Sequence, residues 1–119
     1  MGEFASLDRC AAYVAARALL VAVERVTGSW PTRLALRARR AAMAAVELTA
    51  EATAYGPASA GRRRCLRDAI TSAIGIAAAL DIARATGFGG AELHDVQCVA
   101  GRLVALLAMF LHANTSHPR

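Results

Sequence analysis

The sequence predicts an all-α fold, an up-down-up-down antiparallel four-helix bundle. Three observations support this. Apolar residues make up 56% of the 119-residue chain while aromatics make up only 5%, the usage of packed helices rather than of sheets. Apolar positions recur at steps of three and four, and no stretch alternates with the period of two that a half-buried strand shows. Breakers cluster at 28–31, 56–61 and 86–90. They divide the chain into helical segments at about 6–27, 32–55, 60–86 and 91–113, and 114–119 is expected to be a flexible tail. Short loops between long helices make sequence neighbours antiparallel. Residues 1–119 fit a single domain with room for a core.

In the first segment Ser6 is placed to cap the helix. Leu7, Ala11, Val14, Ala18 and Val21 fall at steps of four and three, a predicted core stripe. Gly28 stops the helix. Pro31 keeps Trp30 extended, and Thr32 is placed to cap the second helix. Residues 39–52, RRAAMAAVELTAEA, carry no Gly or Pro and are strongly helical. Leu36, Met43, Val46 and Ala50 form one predicted apolar stripe. Arg33, Arg37, Arg40, Ala44, Glu47 and Glu51 form a second, basic at its start and acidic at its end. A helix macrodipole favours the reverse order, so this helix calls for outside partners.

The third segment opens with Arg62, Arg63, Arg64 and Arg67, and continues through 69–80, apolar or small on every face. Gly75 inside it costs about 1 kcal/mol against Ala and suggests close approach of another helix. In the fourth, Leu93, Val96, Ala100, Leu103, Leu107 and Phe110 keep a heptad register. Residues 103–111, LVALLAMFL, are apolar right round the helix. A single bundle covers only one face of each helix, and a contiguous apolar patch calls for cover. The expectation is a homo-oligomer with Leu103, Leu106, Leu107, Phe110 and Leu111 in its interface.

All 14 basic residues are Arg, and the net charge is +5; Arg makes forked contacts with carboxylate and phosphate, and an all-Arg usage is also what a GC-rich genome gives. The arginines allow two readings. In one, Arg33, Arg37, Arg39, Arg62, Arg63, Arg64 and Arg67 form a surface for a nucleic-acid backbone, which needs positive charge rather than base-reading side chains. In the other, the arginines pair with Glu24, Glu47, Glu51 and Asp81, within and between subunits. Arg40, Glu47 and Glu51 are the expected structural charge pairs, with Arg64 or Arg67 meeting Glu51. In sequence, Trp30, Tyr55 and Phe88 do not interleave with the arginines, so the stacking platform expected for single strands is missing.

Catalytic signals are thin. No Glu-x-x-His pair exists for a di-metal bundle site. His94 and Cys98 are four apart but lack a second pair for a tetrahedral site. There is no Gly-rich phosphate loop and no Ser-His-Asp candidate. The expectation is no enzyme, no metal and no cofactor. Cys10, Cys65 and Cys98 are odd in number and widely spaced, the pattern of reduced thiols in a cytoplasmic protein. Glu3 and Asp8 stand where a secretory leader would be basic. The uncharged stretch 69–80 is too short to span a bilayer, so no membrane partner is expected.

Arg40-Ala41-Ala42-Met43 followed by Thr49-Ala50-Glu51-Ala52 resembles the RAAxSxxxNIAEG pattern of a bacterial four-helix-bundle family. That family includes the proteins encoded in intervening sequences of ribosomal-RNA genes and the accessory variability proteins of diversity-generating retroelements. Trp30-Pro31 resembles its aromatic-Pro element before helix two. Ala69-Ile70-Thr71-Ser72, Gly75-Ile76, Leu80, Ile82-Ala83 and Gly87-Phe88 resemble its helix-three pattern, so the likeness covers nearly the whole chain in order. Ala44 stands where the family often has Ser, Leu48 where it has Asn, Ala52 where it has Gly, and Gly75 where it usually has Glu. The resemblance implies a cytoplasmic bundle, a ring of five subunits, and for some relatives binding of RNA or DNA and of a reverse transcriptase. The reading is a non-enzymatic oligomeric binding or scaffold protein of the nucleic-acid-binding accessory type. The alternative is a structural assembly or protein-binding module with no nucleic-acid role.

Overall fold

The computed structural model describes residues 10–115. They form α1 (Ala11–Val26), a 3-10 turn (Thr27–Ser29), α2 (Thr32–Ala52), α3 (Ala60–Ala85) and α4 (Glu92–Thr115), with no strand among the described residues. The expected cap Ser6, the start of the first stripe at Leu7 and the end of the tail at 116–119 lie outside the described residues. The helices pack as a cycle: α1 on α2, α2 on α3, α3 on α4 and α4 on α1, with α2–α3 the most extensive contact. These are the neighbour pairs that an up-down-up-down connection requires.

The helix ends follow local chemistry. Ser59 caps α3, its Oγ accepting from the Arg62 N–H at 3.1 Å. Pro31, not the expected Thr32, is the N-cap of α2, and no side chain caps that end. The first bond of α2 runs from the Ala35 N–H to the Pro31 carbonyl at 2.9 Å, and Pro31 has no N–H of its own to satisfy. α3 closes in a Schellman motif. The Phe88 N–H donates to the Ala83 carbonyl at 2.8 Å and the Gly87 N–H to the Arg84 carbonyl at 3.2 Å. Gly87 sits at φ +86°, the left-handed geometry this motif needs.

The core corrects two of the predicted stripes. On α1 the buried residues are Ala12, Ala16, Leu19 and Val23, while Val14 and Val21 are 47% and 56% exposed. Ala11 and Ala18 are exposed too. On α2 the buried row is Ala35, Ala38, Ala42, Ala45, Thr49 and Ala52, while Leu36 and Met43 are exposed. Val46 and Ala50 are only half-buried. The reason is shape. Alanines bring helix axes close, and interhelical distance depends on the side chains at the contact. A row of small residues therefore takes the inside of α2, and the longer Leu36 and Met43 are left outside. Gly75 lies on the α2–α3 seam, but a Cβ added there would stand 3.9 Å from the Ala41 Cβ, an ordinary contact. Its lack of a side chain is not what lets the helices approach.

α4 follows its heptad: Leu93, Val96, Ala100, Leu103 and Leu107 are buried and Phe110 is half-buried. This corrects the expected interface. Leu103 and Leu107 are fully buried within their own chain and cannot face a second copy. Leu106, Phe110 and Leu111 are half-buried against the core. Within the apolar run 103–111, the exposed residues are Ala105, Ala108 and Met109. By length and mean hydropathy alone, Glu92–Ala113 is long and apolar enough to cross a membrane, and 22% of that window is buried in the chain.

Candidate functional site

The seven candidate arginines do not form one surface. Arg33, Leu34 and Arg37 line a groove with Ile82, Thr86 and Phe88, so the start of α2 lies beside the end of α3. Arg62 donates from Nη1 to the Tyr55 carbonyl at 3.3 Å, so the start of α3 lies beside the end of α2. At about 1.5 Å rise per residue, positions 37 and 52 of α2 are roughly 22 Å apart. That is well over the screening length of about 8 Å at physiological salt. The two clusters therefore act as separate charges at opposite ends of the bundle.

The α3 cluster is partly structural. Arg63 donates from Nη1 to the Ala58 carbonyl at 2.6 Å, alongside the Arg62 bond to Tyr55. Together they hold the loop that leaves α2, in which Ala58 takes φ +65°. The Nε of Arg62 is buried without a hydrogen-bond partner. Arg64 and Arg67 remain exposed. Arg39 is also engaged: its Nε donates to Thr27 Oγ1 at 3.1 Å and lies 3.5 Å from Glu24 Oε1, tying α2 to α1.

The α2 cluster is different. Arg33, Arg37 and Arg40 are exposed and surround a shallow depression of about 600 Å³ floored by Leu36. The ion pairs given by the described residues are Arg39 with Glu24 and Arg84 with Asp81, the latter a helix-surface pair at 3.2 Å. Among the described residues, no carboxylate lies within ion-pair reach of Arg33, Arg37 or Arg40. The arrangement offers forked cation donors to an anion and no nucleophile or acid–base pair.

The expected charge pairs of Arg40, Glu47 and Glu51 do not form among the described residues. Arg40 and Glu47 share a stripe but lie two turns apart, about 10 Å along the axis. Glu51 is exposed and meets neither Arg64 nor Arg67 in an ion pair. Its neighbour across the seam is Cys65, a buried thiol. Burial first, then the Glu51 carboxylate, pushes the Cys65 pKa above its ordinary value, and Arg64 pulls it the other way.

Sequence reasoning missed two members of the α2 site. Arg40, expected in a structural charge pair, instead completes the arginine depression. Phe88 was set apart from the arginines, yet the fold brings it to Arg33 and Arg37. The available signal was topological: antiparallel α2 and α3 put the 28–31 and 86–90 breakers at one end of the bundle. His94 and Cys98 do meet on the exposed face of α4, with Sγ and Nε2 3.7 Å apart. No group of three or more metal-ligating side chains gathers among the described residues. No family model and no curated protein matches the chain.

Proposed function

We propose that this protein is a non-enzymatic binding module that presents the start of α2 to a nucleic-acid backbone. One observation carries the reading: Arg33, Arg37 and Arg40 stand exposed around one depression, with no carboxylate partner among the described residues. Arg33, in the first turn of α2, lies against the helix dipole, and a bound anion offsets that cost. The chain's surplus of +5 attracts polyanions over a longer range. The resemblance to retroelement accessory proteins supports RNA or DNA as the ligand, a reverse transcriptase as a further partner, and a cytoplasmic setting. It also supports a ring of five, which would repeat the arginine face around one axis and add up its field.

The second reading is a structural assembly module. Large apolar residues are exposed on every helix: Val14 and Val21 on α1, Leu36 and Met43 on α2, Ile74 and Ile82 on α3, Met109 on α4. The test that separates the readings is a fluorescence titration of labelled single- and double-stranded oligonucleotides at low and moderate salt. Binding that weakens steeply with salt supports the first reading. No binding at low salt leaves the assembly module.

A further inference from the structure

The groove beside the arginine face has a chemistry that backbone binding alone does not use. It lies between the start of α2 and the end of α3, holds about 310 Å³, and is mostly apolar. Pro31, Leu34, Ile82 and Phe88 supply its lining, and Arg33 and Arg37 stand among them. Its volume is at the low end of the roughly 300–1,000 Å³ of small-ligand pockets, the scale of one base rather than of a strand.

We propose that this groove is a slot for one unpaired nucleobase of a single strand whose phosphates run over Arg33, Arg37 and Arg40. The proposal rests on the nucleic-acid reading above and narrows it to single-stranded substrate. An aromatic or apolar slot beside a basic track is how sequence-indifferent single-strand binders hold successive bases. The charge pattern selects such an occupant: a flat, weakly polar group tethered to an anion matches apolar walls with arginines at their edge. Duplex nucleic acid keeps its bases stacked inside, so a paired base does not reach the slot.

Phe88 is held in place for this role. Its N–H is bonded to the Ala83 carbonyl, and Gly87 before it supplies the left-handed turn. Phe88 is half-buried, packed partly against the core, and lines the groove. The slot is thus largely built before a ligand arrives, which lowers the ordering cost of binding.

The test uses the full chain with two labelled oligonucleotides of equal length, one single-stranded and one duplex. A second single strand carries 2-aminopurine, whose emission falls when it stacks. The parent protein is expected to bind the single strand more tightly than the duplex and to quench the 2-aminopurine. Removing the ring with Phe88→Ala, or with Phe88→Leu, which keeps apolar packing, should weaken single-strand binding about fivefold or more. Both should abolish the quenching and leave duplex binding unchanged. Phe88→Tyr should retain all three properties. Thermal melts check that each variant is folded. Single-strand binding indifferent to Phe88→Leu, or an equal loss on single strand and duplex, overturns the slot while leaving the arginine face intact. Loss of the parent's binding to both oligonucleotides overturns the nucleic-acid reading itself, and the slot with it.

Discussion

Arg62 and Tyr55 close one end of the bundle together. The Arg62 Nη1 donates to the Tyr55 carbonyl at 3.3 Å, and the Tyr55 ring lies over Gly61, where an added Cβ would stand 2.5 Å from Cε1. This is a structural lock, although Arg62 belongs to the run that suggests a polyanion site in the sequence. A hydrogen bond from a charged donor is worth about 1.5–3 kcal/mol. Arg62→Ser should therefore lower the melting temperature with little effect on oligonucleotide affinity. Gly61→Ala should also destabilise, although Ala ordinarily favours a helix by about 1 kcal/mol over Gly, because the ring must move. A melt unchanged by both substitutions would count against the lock.

The Glu51–Cys65 contact gives a pH dependence with a definite sign. The Cys65 thiol is held above its ordinary 9.0 by burial and then by Glu51. Below 9.0 the thiol is protonated in both folded and unfolded chains, and the stability from keeping it neutral is fully present. As pH rises from 9.0 towards the raised folded value, the unfolded chain loses the proton first and stability falls. Melts from pH 8 to 10 should show this loss, and Cys65→Ala should flatten it. Glu51→Gln should make it shallower, since one of the two main causes is gone. At pH 7 Glu51→Gln should change stability by no more than about 1 kcal/mol, because the carboxylate is exposed and in no ion pair among the described residues.

Gly89 is fixed by both backbone and space. It takes φ +93°, and a Cβ there would stand 2.7 Å from Cγ and Cδ1 of Leu93. Leu93 is itself buried and has little room to yield. Gly89→Ala should destabilise by about 1–2 kcal/mol, the cost of a left-handed residue with a side chain, and more if Leu93 is displaced. Gly28→Ala is the matched control, since nothing lies within 4 Å of its added methyl and its φ is not left-handed. Equal melts for the two variants would sink this account.

How far the sequence revealed these features depended on contrast. α4 sets large apolar side chains at Leu93, Val96, Leu103 and Leu107 against His94, Asp95, Gly101 and Arg102 on its other side, so its inner face is legible from period alone. α1 and α2 carry alanines and larger apolar residues on both faces, and several stripes satisfy the same period. Packing then chooses by size, a tertiary effect that hydropathy does not encode. The arginine site was half legible for a related reason. Arg33 and Arg37 are neighbours on one helix, but Phe88 joins them only through the antiparallel pairing of α2 with α3. The engagement of Arg62 and Arg63 depends on the path of the loop between those helices.

Assembly is tested by separating core from surface on α4. Leu107 is fully buried and Met109, two residues on, is 56% exposed. Leu107→Glu should unfold the chain, since it puts an unpaired charge in the core. Met109→Glu should leave the melt of the fold nearly unchanged and shift any oligomer towards monomer. Sedimentation at micromolar concentration reads the second effect. A parent protein that is monomeric there would rule out the proposed oligomer, and an oligomer indifferent to Met109→Glu would move its interface off α4.

The arginine face predicts a particular salt dependence. Each phosphate neutralised contributes about −0.7 to the slope of log K against log salt for a single strand and about −0.9 for B-form duplex. Replacing Arg33, Arg37 and Arg40 together by Ser should therefore make the single-strand slope shallower by about 2 if each meets one phosphate. Arg62→Ser with Arg63→Ser removes positive charge from the other end of the bundle and breaks two loop bonds. That pair should lower the melting temperature while leaving the slope close to the parent's. The contrast matters because both sets alter net charge. If affinity merely follows net charge, the two sets will weaken binding in proportion to the arginines lost. If the α2 face is the site, only the first set changes the slope, and it does so without a comparable loss of stability, since Arg33, Arg37 and Arg40 are exposed and pair with no carboxylate among the described residues.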